Sequence, residues 1–369
     1  MAGRRNLPPA DKSLCRRCQS PDTAITVRTE PLCKACFDKY VQTKVVKRME
    51  TFRVKNSEPG KEKTLLLPLS FGPCSTALLY TLSRHLKNQI DKSGRPGFKL
   101  HVLHIEQPDE PPAQPLLDQL QSRFPEHTYA AVPLASITSL PHLLPSTLQP
   151  HSSLASLLST LPTPAARADL SAHLLRKLIT HHARETHSAA ILLGDSTTRL
   201  AERALAETAK GRGFAVPWLV SDGPTTSSHT STAPEGSDGP GPGAGASEIP
   251  TYHPLRDLLT KELVPFVVLA DPPLTPFVRA AAESHPAPAA MKNSTIDALT
   301  RGYFAGVEEE YPSIVANVVR TTSKLRAREV GAGELGCELC DVPLEGAAPE
   351  RSRLCWGCVR TMQGVGAAS

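Results

Sequence analysis

Eight of the nine cysteines in this 369-residue chain stand in four Cys-x-x-Cys pairs, and the pairs form two matched sets. Cys15 and Cys18 are followed after fourteen residues by Cys33 and Cys36, and Cys337 and Cys340 after fourteen residues by Cys355 and Cys358. Each pair suits a tight knuckle that aims two thiolates at one ion. Two knuckles complete the four-sulfur tetrahedron that structural zinc prefers. The start Met1–Ser13 is polar and lacks the apolar core of a signal peptide, and no stretch is long enough to span a bilayer. The expectation is a cytoplasmic chain with no membrane partner, where disulfides are disfavoured and metal ligation leads. Four ligands fill each shell, so two structural zinc sites are expected and not catalytic ones. An iron–sulfur cluster or a redox dithiol is the competing use of the same residues.

Around these modules the chain divides by composition. Residues 1–63 carry 15 Lys/Arg against 7 Asp/Glu, a balance of +8, which leaves −3 for the rest of a chain whose net charge is +5. A basic segment beside a metal module suits RNA phosphates, and a solubilising tail explains it as well. Arg16, Arg17 and Lys34, lying between knuckle cysteines, are the RNA-contact candidates. Phe37, Val41, Val45, Met49 and Phe52 recur at helical spacing and mark a helix packed on a central domain, with Lys39 and Lys47 on its other positions. The expected divisions are a zinc module with a basic helix (1–60), an α/β domain (61–220), a linker (221–250) nearly free of large apolar residues, a helical remainder of the core (251–330) and a second zinc module (331–369).

In the central domain short apolar runs alternate with helical patterns. Thr64–Leu69 reads as a buried strand that enters the turn Ser70–Thr76, and Leu78, Leu79, Leu82 and Leu86 mark the helix behind it. Phe98–Ile105 reads as a strand, Gln114–Arg123 as a helix and Tyr129–Leu134 as a strand. Residues 135–165 read as an irregular insertion and Arg167–Thr186 as a helix. Ala189–Leu193 reads as a strand that ends at Gly194 and Asp195, followed by a helix through Ala209; Phe214–Val220 reads as the last core strand. Such alternation predicts a parallel sheet with helices on both faces, with the loops 70–76 and 194–198 at the strands' carboxyl ends, where ligands bind. Strand, Gly-containing turn, then helix is also an arrangement that presents backbone N–H groups to phosphate.

The first of these loops resembles the PP-loop of the ATP-pyrophosphatase-type, adenine nucleotide alpha hydrolase-like enzymes, whose pattern is Ser-Gly-Gly-x-Asp-Ser. Ser70, Gly72 and Ser75 match; Phe71 replaces a Gly and Cys74 replaces the Asp. The Gly194-Asp195 loop, Pro254-Leu255-Arg256 and Lys261-Glu262 look like later landmarks of the tRNA thiolase branch, which flanking zinc knuckles also fit. The arrangement as a whole is similar to the cytoplasmic tRNA 2-thiolation protein 2 family of fungal type. That resemblance implies a catalytic sister subunit, tRNA and, indirectly, a ubiquitin-like sulfur carrier as partners. It also implies ATP-dependent exchange of the wobble-uridine 2-oxygen for sulfur. Ser70, Gly72, Ser75, Thr76, Gly194 and Asp195 would form a degenerate nucleotide loop, with ATP held chiefly by the sister subunit.

The departures weigh against catalysis by this chain. A Phe side chain at position 71 is expected to restrict the turn or crowd a ligand. Cys74 has two uses: a nucleophile activated by a helix N-terminus, or a small buried hydrophobe. No cysteine lies between Cys74 and Cys337, so the paired core cysteines of a thiolase are missing. The expectation is an inactive paralogue that partners the active subunit and helps hold tRNA. An active ATP-dependent tRNA thiolase and a zinc-knuckle adaptor in ubiquitin-like conjugation are the alternatives. His101, His104, His181 and His182 are expected to be packing or surface residues.

Overall fold

A computed structural model describes residues 13–56, 62–148, 153–224, 249–279, 295–330 and 334–363. The chain opens with a hairpin of β1 (Thr23–Val27) and β2 (Glu30–Cys33), turned by Arg28 in a left-handed conformation. Helix α1 (Lys34–Asn56) follows directly, and its stripe of Phe37, Val41, Val45, Met49 and Phe52 is buried. Phe37 meets Phe266 edge-on, and Phe52 meets Phe98 and Tyr252, so the helix is fastened to the central domain by its aromatic ends. Edge-to-face pairs of this kind add about 0.5–1.5 kcal/mol each to the area they bury.

The central unit comprises β3 (Thr64–Pro68), α2 (Pro73–Ser93), β4 (Lys99–Glu106), α3 (Gln114–Arg123) and β5 (Thr128–Pro133). Three short 3-10 turns and α4 (Leu154–Ser159) make up the irregular insertion, and α5 (Pro164–Glu185), β6 (Ala190–Leu192) and α6 (Thr197–Ala209) follow. The start of α2 is set by Pro73 in its first turn and its end by Gly94, which takes the left-handed conformation of a helix C-cap.

The region 214–220 departs from its expected strand. A 3-10 turn (Gly213–Ala215) leads into a helix, α7 (Val216–Val220). Pro217 suits the first turn of a helix, and Val216 and Val220, four apart, share one face. They pack with Leu200, Leu259, Phe304 and Val315. A short apolar run does not distinguish strand from buried helix by periodicity alone. The place beside β6 goes instead to β8 (Pro250–Tyr252), and β7 (Gly223–Pro224) pairs antiparallel on its far side. Both lie within the stretch read as a linker, or at its end; residues 225–248 lie outside the described residues. The sheet order is β5-β4-β3-β6-β8-β7, parallel except for β7.

The inner strands β3 and β6 are buried on both faces. Leu65 and Leu67 face α1 and α2, while Leu66 faces α5 and the C-terminal module. The chain continues through α8 (Thr260–Leu269), α9 (Ile296–Glu310), α10 (Pro312–Thr322) and α11 (Trp356–Thr361). Residues 280–294 lie outside the described residues. Among the described residues no helix is long and apolar enough to cross a membrane.

Candidate functional site

The turn after β3 closes on itself. Ser70 Oγ and Ser75 Oγ lie 3.1 Å apart, the Ser70 N–H donates to Ser75 Oγ, and the Gly72 N–H donates to Ser70 Oγ. A pyrophosphate seated here would have to displace these bonds. Phe71 occupies the left-handed region at φ 55°, which for a side chain of its size costs about 1–2 kcal/mol. Its ring is fully buried against His104, 4.7 Å between centroids, and under the Arg279 guanidinium, 4.9 Å from the ring centre. The turn is therefore kept, with the ring directed into the core. A strap crosses it: the Arg279 N–H donates to Phe71 O, and Thr76 Oγ1 donates to Phe277 O. His104 is buried and contacts Leu69 O through Nδ1, while His101 and His182 stack on each other.

Cys74, in the first turn of α2, is buried, and burial pushes its thiol up to about 12. Desolvation here overrides the helix terminus that would favour a thiolate. The thiol is protonated at neutral pH and is a poor nucleophile.

The second loop packs directly on the first. A Cβ at Gly194 would lie 2.8 Å from Ser75 Cα, so glycine is required by the approach of two backbones. Asp195 accepts two bonds from Arg203, at 2.6 and 3.1 Å, and His253 Nδ1 stands 3.4 Å away. Burial raises its carboxyl, but the Arg203 charge and His253 hold it well below the usual carboxylate range. The carboxylate is already paired. Arg203 lies eight residues on and His253 belongs to the β8 loop, so nothing in the local sequence marked the pairing.

Both cysteine quartets assemble. In each, the four Sγ atoms lie within 4.8 Å of one another. Zn–S bonds of about 2.3 Å place thiolates about 3.8 Å apart around one tetrahedral ion, so the donor sets fit a single zinc. A four-iron cluster holds its thiolates on four separate metals and spreads them further. In the N-terminal quartet Cys15 and Cys18 precede the hairpin, Cys33 ends it and Cys36 opens α1, with Cys18 exposed. Hydrogen bonding from the Cys33 backbone lowers the Cys15 thiol to about 6, the thiolate form a metal needs. The C-terminal quartet is buried and shares a core with Leu66, Leu174 and Ile191.

That second module is also tied down by charge. Arg212, 1% exposed, donates to Asp169 and Glu207, and Thr361 Oγ1 of α11 donates to Asp169 Oδ2. Lys177 pairs with Asp341 at 2.7 Å. No short-range pattern could have found these partners, because Arg212 and Asp169 are 43 residues apart in the chain.

Of the RNA-contact candidates, Arg16, Arg17 and Lys34 are all exposed. Arg17 lines a cleft of about 630 Å³ shared with Tyr40, Thr43, Lys44, Lys47, Arg48 and Asp257. Lys44 and Lys47, three residues apart on α1 with Arg48 adjacent to Lys47, were the available signal.

Comparison with known proteins places these features. A family model described as cytoplasmic tRNA 2-thiolation protein 2 matches residues 295–356. The protein of that name from Pyrenophora tritici-repentis is 40% identical over 91% of this chain and 86% of its own length. The one from Phaeosphaeria nodorum is 38% identical over 97% of each. Among solved structures, the U34-tRNA thiolase NcsA of Methanococcus maripaludis, described with its [4Fe-4S] cluster, superposes with a TM-score of 0.56 at 15% identity. The match covers 89% of this chain and 95% of that one, and it shows a shared fold.

Proposed function

We propose, from the premise that this chain belongs to the cytoplasmic tRNA 2-thiolation protein 2 family, that it is the non-catalytic subunit of a cytoplasmic tRNA 2-thiolation complex. It holds tRNA and supports a catalytic sister subunit, which binds ATP and receives sulfur from a ubiquitin-like carrier. The observation that carries this reading is Cys74. Sulfur relay needs an accessible thiolate, and preferably a second one beside it. Cys74 is buried with its thiol pushed up to about 12, and the next cysteine in sequence, Cys337, belongs to a quartet. The self-bonded Ser70–Ser75 turn, strapped by Arg279, supports the same reading for ATP. The two quartets hold structural zinc: four thiolates complete each shell and leave no position for a substrate.

The test is ATP-dependent thiolation of a tRNA carrying an unmodified wobble uridine. The purified chain alone, the sister subunit alone and the mixture are compared. Activity in the mixture that survives Cys74→Ala is expected. Thiolation or tRNA adenylation by this chain alone would sink the reading.

A further inference from the structure

The cleft beside the N-terminal module carries an excess of positive charge that the fold does not use. Lys44, Lys47 and Arg48 stand on one face of α1, and Arg17 reaches the same space from the first knuckle. Arg48 is neutralised by a two-pronged pair with Asp257, at 2.6 and 2.8 Å. Among the described residues, Arg17, Lys44 and Lys47 have no ion-pair partner. Arg17 and Lys44 flank the Tyr40 ring, 5.3 and 5.7 Å from its centre. Tyr40 is itself fixed through its hydroxyl to the buried Glu262. Like charges three residues apart on a helix repel, so Lys44 and Lys47 cost a little stability unless a polyanion covers them.

The position matters as much as the charge. Asp257 closes the cleft from the loop after β8, so the cations border the carboxyl ends of the sheet strands. Arg17 lies between Cys15 and Cys18, so a metal in the quartet fixes the backbone that carries it.

Resting on the tRNA-binding role argued above, we propose that this cleft is a phosphate-backbone site for RNA, with Arg17, Lys44 and Lys47 as the contacting cations and Tyr40 as their rigid support. Thr43, exposed beside them, also lines the cleft, but its hydroxyl donates within the helix to Lys39 O. Phosphate contacts position an RNA without reading its bases. The cleft therefore sets register and affinity.

The experiment measures binding of an unmodified tRNA transcript to the full chain across a salt series. It compares wild type, the double variant Lys44→Gln/Lys47→Gln, and the control Lys87→Gln, an exposed lysine of α2 outside the cleft. Losing two phosphate contacts should lower the slope of log affinity against log salt by roughly 1.5, and weaken binding at low salt by about tenfold or more. The control should match wild type, and the double variant should melt no lower than wild type. Unchanged affinity and slope in the double variant overturn the site. So does loss of an acidic protein partner with tRNA binding intact, which would assign the cleft to that partner. Failure of the wild type to bind tRNA overturns the tRNA-binding role itself, which a defect confined to the double variant leaves standing.

Discussion

Gly357, in the first turn of α11, lies against Arg212 so closely that a Cβ at position 357 would overlap Arg212 Cγ. The guanidinium cannot swing aside, because Asp169 and Glu207 hold it on two sides. Gly357→Ala is therefore expected to destabilise the protein by about 1–3 kcal/mol in chemical denaturation. Gly302→Ala in α9, where nothing lies within 4 Å, should stabilise by up to about 1 kcal/mol. Equal effects of the two would remove the close contact as the cause.

Arg212→Ala leaves Asp169 and Glu207 buried without their shared cation. Breaking one side of a buried ionic network costs about 3–5 kcal/mol. Lys99→Ala, at an exposed pair with Glu62, should cost less than about 1 kcal/mol. Denaturant midpoints of the two variants decide whether the interior network is what fastens the C-terminal module.

The same network sets an acid limit. Burial pushes Glu207 up, but the Arg212 hydrogen bond and charge hold it at about 2, below its ordinary value of 4.5. Asp169, between His173 and Arg212, is also held below the usual range. Depressed carboxylates stabilise the fold above their unfolded values, and that contribution is lost as pH falls through the folded ones. Stability should decline from about pH 4.5 towards pH 2, with a shallower decline in Glu207→Gln. A profile flat over that window would contradict the pairing.

Metal content should be two zinc ions per chain by elemental analysis, falling to one in Cys18→Ser and in Cys355→Ser. The two losses should differ in consequence. Cys355 is fully buried in a core shared with α5, whereas Cys18 is exposed beside the hairpin. Hydrogen exchange in α5 should accelerate in Cys355→Ser and stay near wild type in Cys18→Ser. Iron and sulfide in the purified protein would replace zinc by a cluster.

Gly194→Ala would set a methyl group against the Ser75 backbone. A loss of about 1–3 kcal/mol in the free protein, with no nucleotide added, is expected. A glycine kept only for a ligand's approach would leave the free protein unchanged.

Much of this molecule was legible along the chain. The quartets could be read because four thiolates around one ion impose a short, fixed spacing. The stripe from Phe37 to Phe52 and the strands at 64–69 and 98–105 could be read because one face, or both, must be apolar to be buried. Phe71 and Cys74 stood out as departures within a short loop. The tertiary structure decided what those departures mean: the Phe71 ring turns inward beneath Arg279, and burial overrides the helix terminus at Cys74. It also gave the place beside β6 to Pro250–Tyr252 and made Val216–Val220 a helix, since a short apolar run fits either. Arg212 with Asp169, Asp195 with His253, and Arg17 with Tyr40 are pairings of distant segments. Local sequence sets the periodicity that buries a face, whereas which charges meet depends on where the folded backbone places them.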